Sequence, residues 1–170
     1  MIKLRNLYAI IGFKITWISC VFGELYYNSF VGLIVGLIFL IFFFLFEVNK
    51  LSSFRLVFYF SIIGYGFDSI LSYFEFYNIN ASTKLFLLPI WFIVLWLSFC
   101  CLLVNVLTFF KNYPKLSFFF GFTLGPISYY AGIPIGLVKA YGPESFILIG
   151  TFWGLMMFVY SQYALNKKLL

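Results

Sequence analysis

The sequence predicts an all-α protein, a polytopic membrane bundle of six transmembrane helices forming one domain over 1–170, with both termini cytoplasmic. Three observations carry that expectation. Of the residues, 64% are hydrophobic and 9% charged, whereas soluble domains are about half apolar and a quarter charged. Six apolar runs approach or reach the roughly 20 residues that span a bilayer. The basic residues also alternate between the connecting loops. Lys3, Arg5, Lys50, Arg55, Lys111, Lys115, Lys167 and Lys168 fall at one set of ends, and only Lys84 and Lys139 fall at the other. The positive-inside rule places the first set, and with it both termini, in the cytoplasm. The net charge of +6 is then a matter of orientation and calls for no nucleic-acid partner.

The runs lie at about 6–23, 29–46, 54–76, 86–109, 116–138 and 145–164. The first holds Lys14 and has no small-residue cleavage site after it, so it reads as a retained helix rather than a signal peptide. The second contains Gly32 and Gly36, the third Asp68, and the fourth Trp91 and Trp96. Between them, "EVNKLSS", "YNINASTK", "KNYPK" and "AYGPES" are compact polar connections rich in turn residues.

Absence of histidine removes the commonest general base and the commonest metal ligand. No metal or organic cofactor motif is present. Cys20, Cys100 and Cys101 sit inside apolar runs and read as small buried hydrophobes rather than as a disulfide.

Asp68, in "GYGFDSIL", is the leading site candidate, because an ionised carboxylate deep in a span is expensive and faces protein or water. Ser69 stands beside it, and Gly64 and Gly66 allow close approach to the backbone. Lys14, in "GFKITW", is the only basic residue as deep. It is expected either to pair with Asp68, as a packing ion pair or as counter-ion of a ligand site, or to snorkel to the cytoplasmic face. Trp91 suits an interfacial belt, whereas Trp96 lies nearer mid-membrane, where its indole N–H requires a partner. Ser128 and Tyr129 offer hydrogen bonds to a ligand or to a neighbouring helix. No base lies near them in sequence, so hydrolysis gains little support.

Helix five carries "LGPISYYAGIPIG". Pro126 and Pro134 each remove an amide donor and disturb the carbonyl one turn earlier, so the helix is expected to kink or break. Gly121/Gly125, Gly132/Gly136, Gly32/Gly36 and Gly150/Gly154 repeat at a spacing of four, which makes flat helix faces for close packing. Gly121, Gly125, Pro126, Gly132, Pro134 and Gly136 are therefore packing or hinge candidates, through which neighbouring helices cover the freed backbone.

These residues resemble the pattern of the bacterial membrane family known as domain of unknown function 2878. The matching positions are Phe13, Trp17 and Cys20 in the first helix, then Gly64 and Asp68 in the third. Pro89, Trp91, Leu95, Trp96 and Phe99 match in the fourth, and Gly121, Gly125, Pro126, Ser128, Tyr129, Gly132 and Gly136 in the fifth. Lys14 and Pro134 stand outside the pattern. The resemblance covers nearly the whole chain and implies a lipid-related setting without supplying an activity.

The expected function is a non-enzymatic membrane component that binds or moves a small lipophilic or amphipathic molecule. Asp68, Lys14, Trp96, Ser128 and Tyr129 would form its polar site. One alternative is an enzyme or enzyme subunit in lipid modification using Asp68 and Tyr129. A second is a structural subunit whose glycine faces dock another membrane protein or a second copy. Membrane lipids are the partners common to all three.

Overall fold

A computed structural model of the chain describes residues 2–140 and 142–166, and the charges counted at Lys167 and Lys168 lie outside them. The protein is all-α. Its helices are α1 (Ile2–Tyr26), α2 (Ser29–Phe46), α3 (Lys50–Tyr73), α4 (Phe92–Asn105), α5 (Pro114–Tyr130) and α6 (Pro143–Asn166). A 3-10 helix at Leu107–Asn112 follows α4. Short strands β1 (Tyr77–Ile79), β2 (Lys84–Leu85), β3 (Leu88–Pro89) and β4 (Val138–Ala140) form two two-stranded ribbons, β1 with β4 and β2 with β3.

Four helices, over Leu4–Tyr26, Ser29–Phe46, Lys50–Tyr73 and Pro143–Asn166, are long and apolar enough to cross a membrane. Their ends follow local chemistry. The Asn28 side chain accepts from the Phe30 amide at the start of α2, satisfying one of the donors that a helix N-terminus leaves open. Pro114 and Pro143 open α5 and α6, where the missing N–H costs nothing.

The expected fourth and fifth spans are shorter than their apolar runs. In place of a helix over 86–109, α4 has 14 residues. The chain before it folds into an antiparallel hairpin that pairs Lys84 with Pro89 and Leu85 with Leu88. In place of 116–138, α5 runs through Pro126 and ends at Tyr130. Turns follow, in which Leu137 and Val138 both donate to the Gly132 carbonyl at 3.0 Å. Gly136 takes φ +74°, a conformation that a side chain would resist. Pro134 thus lies in the turns beyond the helix, not within it.

Contacts gather in two compact units, 1–74 with 79–106, and 75–78 with 107–170. In the first, α4 is the central element: α1, α2 and α3 all pack on it, and α1 also packs on α2. Small residues set these approaches. A Cβ on Gly32 would lie 2.8 Å from the Cys20 sulfur, and one on Gly36 would lie 2.7 Å from Val94 Cβ. Both are closer than real side chains come, so α2 can hold this position only with glycine there.

The second unit is built on α5 against α6, with the 3-10 helix also on α6. Gly121 and Gly125 face Trp153, and Gly154 faces the Phe118 ring. Pro126 cannot donate to the Phe122 carbonyl one turn earlier. Gly150 stands against that same oxygen, where a Cβ would come within 2.8 Å of it. The backbone of α6 thereby covers the carbonyl that the proline leaves open. Ser117 Oγ donates to the Met157 carbonyl and Ser161 Oγ to the Phe110 carbonyl, each at 2.8 Å.

Candidate functional site

Asp68 is 0% exposed, on the face of α3 that meets α4. Its Oδ2 accepts a hydrogen bond from the Trp96 indole Nε1 at 2.6 Å. Helical periodicity places Gly64 one turn before Asp68 on the same face, and the Trp96 ring lies directly over it. Any Cβ on Gly64 would collide with ring carbons. The "GYGFDS" segment therefore does two things: Gly64 admits the indole, and Asp68 receives its N–H. The Phe99 ring meets the Trp96 ring edge-on at 6.0 Å. Phe13 of α1 in turn packs edge-on against Phe99 at the same distance. Ser69 Oγ turns back to the Tyr65 carbonyl at 2.8 Å, so its hydroxyl serves its own helix.

Lys14 is placed elsewhere. Its side chain is on the exposed face of α1, and α1 packs on α2 and α4. Asp68 is thus met by an indole and not by this ammonium.

Ser128 and Tyr129 belong to the second unit. Ser128 Oγ donates to the Gly125 carbonyl at 2.6 Å, a local bond within α5. Tyr129 is 8% exposed, and its ring meets Tyr77 edge-on at 5.4 Å.

Two clusters that the sequence did not single out mark opposite ends of the first unit. At one end, Glu47 is almost wholly buried, and Arg5 reaches it at 3.1 Å. Arg5 also donates to Asn105 Oδ1 at 2.7 Å, and Asn105 Nδ2 donates to Glu47 at 3.3 Å. Glu47 further accepts from the Val48 and Asn49 amides, turning the chain from α2 into α3. The cluster joins the start of α1, the end of α2 and the last residue of α4.

At the other end, Glu24 accepts from the Trp91 indole at 2.8 Å and from the Ser82 amide at 2.5 Å, and also from the Ser29 hydroxyl. Ser29 Oγ accepts from the Thr83 amide at 3.0 Å. Trp91, 2% exposed, therefore lies inside this cluster, whereas a belt residue would be open to the interface. A usable sequence signal existed in both cases, since each carboxylate stands at the end of an apolar run with a polar residue opposite.

All three cysteines are free and buried. Among the described residues, no three Cys, Asp or Glu side chains gather as a metal-holding group. Among the described residues, Asp68 is the acid buried within a helix interior, and its carboxyl oxygen accepts a hydrogen bond from a second helix.

Compared with family models, residues 6–159 match the family described as Protein of unknown function (DUF2878). No curated protein matches the chain. No solved structure matches it either.

Proposed function

The chain belongs to that family of unknown function, and we propose that it is a bacterial inner-membrane protein that binds or moves a small lipophilic or amphipathic molecule. The observation that carries this proposal is the Asp68–Trp96 pair: a carboxyl of zero exposure, held by an indole N–H at 2.6 Å between the long apolar α3 and the shorter apolar α4. Such a group is costly in hydrocarbon, and ionisable residues kept there mark ligand, ion or proton sites. Asp68 would recognise a cation, a donor or a proton on the ligand, and Trp96 would pack against its apolar part. Lys14 would meet lipid or ligand from the exposed face of α1. Pro126 would be the hinge of α5, where the Phe122 carbonyl lacks its helical donor.

The topology in this proposal has six spans, the first residues of α1 and the last of α6 being cytoplasmic. It is supported by the four long helices and by the basic residues gathered at alternate connections. An introduced cysteine at Asn80 is expected to react with a membrane-impermeant maleimide in intact cells, and one at Asn49 only after permeabilisation. The reverse pattern would invert the orientation, and equal reactivity would remove a span.

A second function has one observation in its favour. Complete burial of Asp68 also suits a static lock between α3 and α4. Mass spectrometry of molecules co-purifying with wild type and Asp68→Asn, both monodisperse, separates the two. A defined molecule retained by wild type alone supports binding. Identical profiles leave the lock.

A further inference from the structure

The β2–β3 hairpin presents an apolar tip on a buried root. Leu88 is 0% exposed and Pro89 is buried beside it. Tyr65 Oη donates to the Leu85 carbonyl at 3.2 Å, and the Ile90 amide donates to Thr83 at 3.1 Å. Between these ties the turn carries Phe86 at 89% exposure, flanked by Leu85 at 40% and Leu87 at 38%. Phe86 also has φ +56°, a left-handed backbone that a bulky side chain adopts at a cost. Glycine or asparagine would serve such a turn without exposing a ring to solvent.

The position of the hairpin identifies what meets that ring. Between Arg5 and Glu24, α1 rises about 28 Å at 1.5 Å per residue, close to the roughly 30 Å of a bilayer's hydrocarbon core. The Arg5–Glu47–Asn105 and Glu24–Ser29–Trp91 clusters thus stand where the two borders of an apolar slab fall. Ser82 and Thr83, bonded into the second cluster, lead directly into β2. The same end of the unit carries Tyr26 at 73% exposure and Tyr27 at 79%, just beyond Glu24. Aromatic rings gather at the headgroup level of membranes, and a nearby lysine such as Lys84 suits lipid phosphates.

We infer that the hairpin is a membrane-interface anchor that seats Phe86 in the headgroup–acyl boundary of the leaflet on the Glu24 side. It rests on the membrane-spanning part of the proposal above and not on any ligand at Asp68.

The test is site-directed spin labelling of Phe86→Cys in vesicles of phosphatidylethanolamine and phosphatidylglycerol. The native cysteines are buried, and the side chain replaced is almost wholly exposed. Two reference labels are added, Ile18→Cys, 48% exposed on α1, for the hydrocarbon, and Asn80→Cys for the aqueous loop. At position 86 the label is expected to be relaxed by oxygen, which partitions into lipid, and to lose most of the nickel-chelate accessibility seen at Asn80. Relaxation dominated by the nickel chelate would put the tip in water and overturn the anchor. Protection from both agents would mean that protein covers it, which overturns the anchor equally. Nickel accessibility at Ile18 would instead sink the membrane-spanning reading itself, and the anchor with it.

Discussion

At position 68 a carboxylate and an indole share a hydrogen bond of 2.6 Å, and exchanging either side chain should be felt in stability. Trp96→Phe keeps an aromatic ring over Gly64 but removes the donor. An intramolecular hydrogen bond contributes about 0.5–3 kcal/mol, the upper part of that range belonging to charged partners, so a loss within it is expected in thermal or denaturant unfolding of the purified protein. Asp68→Asn retains an oxygen that accepts from the indole and should lose less. The double variant should lose less than the sum of the two single losses, because the residues act through one shared bond. Strict additivity would mean that the bond carries no coupling. Phe86 gives the opposite sign. Asparagine tolerates φ near +56° better than phenylalanine, so Phe86→Asn should stabilise the protein in detergent by about 1 kcal/mol. An unchanged or lower unfolding midpoint would show that the turn does not hold strain.

Among the elements, glycines separate into those a helix leans on and those it does not. A Cβ at Gly125 would strike the Trp153 indole, so Gly125→Leu should part α5 from α6 at a cost of about 1–3 kcal/mol. Nothing lies within 4 Å of a Cβ at Gly66, so Gly66→Ala should gain about 0.5–1 kcal/mol from helix propensity. Equal effects from the two changes, read as shifts in unfolding midpoint, would show that the α5–α6 contact is loose. The glycine repeats were legible as packing surfaces, and at Gly32, Gly36, Gly121, Gly125, Gly150 and Gly154 they are occupied by neighbours within the same unit. The span expected at 29–46 coincides with α2, because a nearly unbroken apolar run bounded by Asn28 and Glu47 leaves little choice of ends. Hydropathy failed at 86–91 and 131–138, since an apolar residue reads alike in a helix, a hairpin root or a turn. Asp68 was legible by its rarity in a span. Its indole partner was not, because register between α3 and α4 is a property of packing that neither helix encodes alone. For Lys14 the choice between pairing and snorkelling was not legible for the same reason: depth along two helices says nothing about which faces meet.

Across the first unit as a whole, the distance between its polar ends sets a thickness to which the surrounding bilayer should conform. With the two clusters bordering an apolar stretch of about 28 Å, unfolding in vesicles should be most difficult where the hydrocarbon core is near that value, and easier in thinner or thicker lipids. A stability independent of acyl length would mean that these clusters do not border the membrane. The same clusters have a consequence in time. Glu24 leaves the ribosome long before Ser82 and Trp91, which complete its bonds, and Arg5 precedes Asn105 by 100 positions. Since chains emerge from the N-terminus onward, Glu47 and Ser29 reach α1 once α2 is made, but neither cluster is complete until α3 has also been synthesised. Both knots close only as α4 appears, and the first unit ends one residue later, at Val106. The last helix to join is thus the one that makes the placement of the first permanent.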